Sequence, residues 1–315
     1  MKDTLTILAC NFEGNGRGDL AVQAEMYRRL RAEEPDILLR QELPGYAATG
    51  RESTHWFRSW EHLGGMVGWL GPGIGATAIY INPRTVHPAR NWADEVERSI
   101  WQLPPTVLSL IPDGTHVPIL VASVHYAYHN AAQRDLETGW LTRLPDKWAP
   151  VDGQHAQLPV LIGGDFNCEL PGTGPLTRPR DIADRPHRVH RTILLPGGRR
   201  VMDTGPAATF AEIGLADAAH IAATNGDKEA LAPTVAASPT HGPARRCDAI
   251  YLSDALAPAV ADYTVIDMTG PGLSDHDTVT LRLHLPTLRR LLADWPTHHA
   301  AAAKTVAHRS GLRAS

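Results

Sequence analysis

Five apolar runs in this 315-residue chain each end in a carboxylate, an amide or a histidine. Leu5–Cys10 ends in Asn11, with Glu13 two residues further on. Ile37–Leu39 leads into Gln41 and Glu42, and Ile119–Val124 ends in His125. Val160–Ile162 passes through Gly163 and Gly164 to Asp165 and Asn167, and the approach to the last run carries Ser274, Asp275 and His276. A buried strand that ends in a charge places that charge at the rim of its sheet, where water or a partner can meet it. If these ends converge, their carboxylates repel one another unless a cation or a proton lies among them. Oxygen ligands with open water positions suit Mg²⁺, and histidines beside them supply acid–base chemistry near neutral pH. These are the parts of metal-assisted phosphoryl hydrolysis. Each alone has a bland alternative: Gly-Asp-Phe-Asn fits a turn, Ser-Asp-His a helix cap, and a strand-end histidine a structural role. Their joint order carries the weight.

The elements that would position these groups are short. Buried strands are predicted at 5–10, 36–40, 77–81, 118–124, 159–162, 248–252 and 278–283. Between the first two, Leu20, Ala24, Tyr27, Leu30 and Arg31 recur at helical spacing, with Asp19 as N-cap and Pro35 as the stop. Strands alternating with some helices, without repeats or a long linker, predict a sheet-rich α/β domain with helices packed outside. The stretch Pro171–Arg200, which holds seven arginines, reads as a long surface loop. After Pro286 a short peripheral helix and a frayed end are expected.

Bulk properties exclude several classes. Thirty basic residues face 34 acidic ones, a net charge of −4, which argues against a basic nucleic-acid coat though not against a local basic groove. Cys10, Cys168 and Cys247 are scattered and odd in number, so neither a disulfide framework nor a zinc finger is implied. The N-terminal apolar stretch is too short for a signal peptide and no run is long enough for a membrane span, so a cytoplasmic protein without membrane contact is expected.

The motifs, in order, are LACNFEG, DILLRQE, VASVHY, IGGDFN, RRCDAIYLS and GLSDHD. This series resembles the endonuclease/exonuclease/phosphatase family, which includes pancreatic deoxyribonuclease, abasic-site endonucleases, inositol-polyphosphate 5-phosphatases and bacterial sphingomyelinases. The resemblance implies a four-layer α/β sandwich, two packed mixed β-sheets flanked by helices, over residues 1–285, with 286–315 as peripheral helix and flexible tail. It implies Mg²⁺, with Mn²⁺ able to substitute, held by Glu42 and Asp275 with Glu13 helping through water. His276, oriented by Asp248, would act as general base or bind the scissile phosphate. Asp165 would position the attacking water or exchange protons. Asn11 and Asn167 would donate hydrogen bonds to the phosphate or to neighbouring carboxylates. His125 would stabilise the developing charge or protonate the leaving oxygen. Three positions depart from the family pattern: Glu13 stands where many relatives have Asp, Cys247 where Ile is usual, and Asp277 follows Ser-Asp-His.

Three readings of the whole stay open: a nuclease or phosphodiesterase acting on DNA or other nucleic acid, a hydrolase of a small or lipid phosphoester, and a binding module that has kept the fold. Arg98 falls near a phosphate-contacting position of some relatives but also fits an exposed arginine. Arg134 reads as structural, and Asp217 as a helix-end residue or a site neighbour. Trp56, Trp60, Trp69, Trp92 and Trp101 fit packing better than base stacking. Gly71, Gly73 and Gly75 lack phosphate-loop spacing and fit a turn.

Overall fold

The computed structural model describes residues 2–44, 59–72 and 76–298. Trp56, Gly73, Gly75 and the tail expected to fray after residue 298 lie outside that range. From the N-terminus the chain forms β1 (Thr4–Asn11), α1 (Leu20–Ala32), β2 (Ile37–Leu43), β3 (Val67–Leu70), β4 (Ala76–Ile81), β5 (Val86–Asn91), β6 (Thr106–Pro112) and β7 (Ile119–His125). There follow α2 (Ala131–Leu141), β8 (Trp148–Val151), β9 (Gln154–Gln157), β10 (Val160–Leu170), α3 (Arg185–His190), β11 (Thr192–Leu194) and β12 (Arg200–Met202). The last part holds α4 (Gly205–Glu212), β13 (Leu215–Asp217), α5 (Ala218–Thr224), β14 (Arg246–Ser253), β15 (Val260–Ile266), β16 (Thr278–His284), α6 (Leu285–Ala293) and β17 (Thr297–His298).

Two six-stranded mixed sheets dominate, in the orders β15-β16-β1-β2-β4-β3 and β13-β14-β10-β7-β6-β5. Each is built around one parallel pair, β1 with β2 and β10 with β7, flanked by antiparallel neighbours. The central strands are buried on both faces, which is why they read as unbroken apolar runs rather than alternating ones. Side-chain alternation then splits each run between two cores. Ile7 and Ala9 of β1 meet Val121 of β7 and Leu161 of β10 in the core between the sheets. Leu8 and Cys10 of β1 face outward and pack with Met26, Tyr27 and Leu30 of α1. On the far side Leu120, Val160 and Ile162 pack with Trp140 and Leu141 of α2 and Phe210 of α4. The four layers expected from the sequence are therefore present.

Local signals account for the helix starts. Asp19 caps α1 by accepting from the N–H groups of Ala21 and Val22. Leu288 and Leu292 of α6 are buried in the inter-sheet core. Trp92 and Trp101 are buried packing residues, as the sequence favours, while Arg98 is exposed. Among the described residues no helix is long and apolar enough to cross a membrane.

The stretch Pro171–Arg200 differs from the expected loop. It contains α3 and the hairpin of β11 and β12, because its polar residues close local hydrogen bonds. Asp184 accepts from the His187 N–H at the start of α3, and Arg134 Nη2 donates to the His190 carbonyl at its end. Arg134 is fully buried and paired with Asp203 at 2.7 Å, the structural role read for it.

Candidate active site

The strand directions bring the candidate residues to one rim. β1 and β2 are parallel, with Asn11 opposite Gln41, so both chains leave the sheet at the same edge. β7 and β10 are also parallel, with His125 opposite Asp165. β14 runs antiparallel to β10 and places Asp248 directly across from Asp165. β16 runs antiparallel to β1, so the residues just before it, Asp275 and His276, reach the same edge. Gln41 Nε2 donates to Ser123 Oγ at 2.9 Å, which in turn donates to the Arg40 carbonyl at 3.0 Å, tying the two sheets together beneath the rim.

The sheets approach closely here. A Cβ on Gly163 would lie 2.6 Å from Leu39 Cδ1 of the facing sheet, and one on Gly164 only 2.0 Å from the Val124 carbonyl oxygen. Gly164 also takes φ +146°, so the two glycines before Asp165 answer to close approach. Beyond them both key strands bulge. Register shifts occur between Arg40 and Leu43 on β2 and between Asp165 and Leu170 on β10. At these bulges Glu42 has φ +55° and Asn167 φ +48°, left-handed conformations that cost on the order of 1–3 kcal/mol each. The bulges re-aim the two side chains at the rim.

Asp165 is the hub. Its Oδ2 accepts from Asn11 Nδ2 at 3.0 Å and from Asn167 Nδ2 at 3.1 Å, and its Oδ1 from the Asn167 N–H at 2.7 Å. His125 Nε2 lies 3.5 Å and His276 Nε2 3.8 Å from the same Oδ2. Burial opposes ionisation of Asp165, but the charges of His276 and His125 and the Asn167 N–H outweigh it and hold the carboxyl below its ordinary range. His276 Nδ1 meets Asp248 Oδ2 at 2.8 Å, and that oxygen also accepts from Thr234 Oγ1 at 2.7 Å. Burial disfavours the imidazolium, yet Asp248 and then Asp165 overcome it and raise His276 well above an ordinary histidine.

The carboxylates of the opposite wall are wetter. Glu42 Oε2 accepts from the Gly14 N–H at 2.7 Å, and Oε1 lies 4.0 Å from His125 Nε2. Glu13 pairs with Arg17. Burial, then the charges of Glu13 and Glu42, push the Asp275 carboxyl upward despite His276, and Asp275 Oδ1 is buried without a hydrogen-bond partner. Beneath them Arg40, fully buried, donates to the carbonyls of Cys10 and Gln41 and to Asn15 Oδ1, with its guanidinium over the Phe12 ring.

Among the described residues two groups have the spacing of a metal site, each residue bringing one ligand atom within 4.8 Å of the others: Asp165, Cys247, Asp248 and His276, and His241, Asp275 and His276. In the first, both Asp165 oxygens and Asp248 Oδ2 already accept hydrogen bonds, although Asp248 Oδ1 has no partner. The Cys247 thiol, buried and faced by Asp248 and Asp165, is pushed up to about 12 and stays protonated, a poor ligand. The mutually repelling Glu13, Glu42 and Asp275, which bring only carboxylate oxygens and no thiol, fit a hard divalent cation better.

Sequence reasoning missed Thr234 and His241. Thr234 lies in an irregular stretch and His241 in a turn, and nothing local marks either as facing His276, whose ring centroid is 6.2 Å from that of His241. Asp217 caps α5 and pairs with Arg246 at 3.0 Å, a helix-end role.

No protein-family model and no curated protein matches the chain. Solved structures do. D. rerio TDP2 complexed with single strand DNA product superposes with TM-score 0.58 at 16% identity, over 89% of this chain and 99% of that one. An endonuclease/exonuclease/phosphatase family protein from Bacteroides thetaiotaomicron gives 0.57 at 15%, over 89% and 94%. The mannosyl-6-phosphatase of the same organism gives 0.57 at 15%, over 88% and 98%. The resemblance drawn from the motifs thus holds in three dimensions: the chain has the endonuclease/exonuclease/phosphatase fold.

Proposed function

We propose that the chain is a Mg²⁺-dependent hydrolase of phosphoester bonds, a nuclease or related phosphodiesterase. The observation that carries this reading is Asp165, a buried carboxylate shared by two amides and two histidines, one of which is backed by a second carboxylate at 2.8 Å. Mg²⁺ held by Glu42 and Asp275, with Glu13 at a distance, would supply positive charge to the phosphoryl oxygens and orient water. Asp165 accepts the proton of the attacking water while Asn11 and Asn167 fix its orientation. His276, kept protonated by Asp248, binds a non-bridging phosphoryl oxygen and offsets the charge that builds in the transition state. His125, with Nε2 3.5 Å from Asp165 Oδ2, would give a proton to the departing oxygen. Water oxygen bonds to phosphorus, the ester P–O bond breaks, and no covalent enzyme intermediate forms. The single-strand DNA product on D. rerio TDP2 supports a nucleic-acid substrate, whereas the mannosyl-6-phosphatase supports a small phosphoester.

Purified protein should cleave plasmid DNA, single-stranded DNA, RNA or bis-p-nitrophenyl phosphate with Mg²⁺ and not with EDTA. Activity confined to p-nitrophenyl phosphate would move the substrate to small monoesters. Silence on every substrate, or equal activity in His276→Ala, would overturn the hydrolase reading.

A further inference from the structure

Seven arginines fall between Pro171 and Arg200, and the fold buries one of them, Arg191, to 5% exposure. Arg245, on the segment before β14, is buried to the same degree. The other buried arginines on this side have counterions: Arg134 pairs with Asp203 and Arg246 with Asp217. Arg191 and Arg245 have no carboxylate within 4.0 Å among the described residues. Arg191 Nε donates to the Thr240 carbonyl at 3.3 Å, and Arg245 Nη1 to the His241 carbonyl. Nε and Nη2 of Arg245 are buried with no partner at all. Arg40 is also buried without a carboxylate, but it donates to two carbonyls and to Asn15 Oδ1; two adjacent guanidiniums that lack counterions, one of them with two unpartnered nitrogens, are an arrangement a fold disfavours unless an anion joins them. Burial first, then Arg245, pulls Arg191 down to about 10, the sign of uncompensated positive charge.

The pair borders the hydrolytic centre. His241 carries one ring nitrogen within 4.8 Å of Asp275 and His276, and burial followed by the charges of Arg191 and Arg245 forces it down to about 3. Arg191 also helps keep Asp165 ionised. His276 is the cation that would meet the scissile phosphate, and these two guanidiniums are further positive charge with no carboxylate within 4.0 Å among the described residues.

We propose that Arg191 and Arg245, with His241 between them and the hydrolytic centre, form an anion subsite that holds a second phosphate of the substrate beside the scissile one. This rests on the hydrolase reading and narrows its substrate to phosphoesters bearing another phosphate nearby, either a terminal monoester or the next diester of a strand. Planar guanidiniums match such oxygens in geometry and remain charged at any working pH.

Three esters of thymidine 5′-(p-nitrophenyl phosphate) test it: one with a free 3′-hydroxyl, one with a 3′-phosphate, and one with a 3′-phosphate methyl ester. The wild type should favour a phosphate-bearing ester by about 10-fold or more in kcat/KM. Preference for both marks a strand's next phosphate, and preference for the monoester alone marks a terminal phosphate. In Arg191→Met and Arg245→Met the ratio should fall to within about 2-fold of unity. A wild-type ratio near unity overturns the subsite whatever else is found. Thermal melting in EDTA separates the two readings, since it needs no turnover. About 10 mM inorganic phosphate should raise the Tm of wild type and of His276→Ala, and not of the arginine variants. Turnover of no ester, with that stabilisation intact, would sink the hydrolase reading and leave the anion site standing. Turnover of none with no stabilisation would overturn the subsite as well.

Discussion

The two walls of the candidate site both carry carboxylates and differ in wetness. On one, Asp165, Asp248 and His276 are 1%, 1% and 5% exposed, and each is held by protein donors or acceptors. On the other, the side chains of Glu13 and Glu42 keep 34% and 29% exposure, and Glu42 has free acceptor capacity. Dry acids held by protein donors have their protonation fixed by neighbours and suit proton transfer and orientation. Wetter acids that repel one another suit a cation that keeps part of its hydration. A carboxylate count along the sequence cannot make this distinction, because burial and partners make it.

The comparison can be broken most severely at the dry wall. His276→Ala should lower kcat by about 10³-fold or more with the fold intact, and excess Mg²⁺ should not repair it. A steady-state assay across a Mg²⁺ titration, with melting as the fold control, checks this. Metal rescue of that variant would merge the two walls into one. Asp248→Asn should follow at about 10²–10⁴-fold, because the amide cannot hold His276 in the same protonated, oriented state. Glu42→Gln should lose about 10²-fold while its half-saturating Mg²⁺ concentration rises, so part of the activity returns at high metal. Isothermal titration with Mg²⁺ would expose an error if Glu42→Gln bound as tightly as wild type. Glu13→Gln sharpens the contrast from the weak end. Its carboxylate is partly solvated and engaged with Arg17, so a loss within about 10-fold is expected.

Much of the frame was legible along the chain. The seven predicted strands correspond to β1, β2, β4, β7, β10, β14 and β16, which form the middle of both sheets. Their apolar runs are visible because both faces are buried. β3, β5 and the outer β15 were not seen, since one face of an edge strand meets water and polar residues such as Asp262 and Thr264 break the run. β6 has an apolar run but no catalytic residue at its end to draw attention to it. At the site, Asn11, Glu42, His125, Asp165, Asn167, Asp248, Asp275 and His276 could each be found because a strand end or motif marked them. Thr234 and His241 carried no such mark, and Arg191 and Arg245, though they stand in the arginine-rich stretch and at the head of the RRCDAIYLS motif, carried none that pairs them. They reach the site from irregular segments whose path depends on contacts with distant residues.

By itself, the sequence determined which strands are central, that polar groups crowd their ends, and the order of motifs that resembles one family. Those properties are local, set by the period of side chains along a buried strand and by the residue that follows it. Only the tertiary structure decided which carboxylates are dry and which wet, where Glu42 and Asn167 turn left-handed, and that two arginines 54 positions apart (191 to 245) share a site without a counterion. Desolvation and charge pairing depend on every atom within several ångströms, and the chain brings those atoms together only when both sheets have closed.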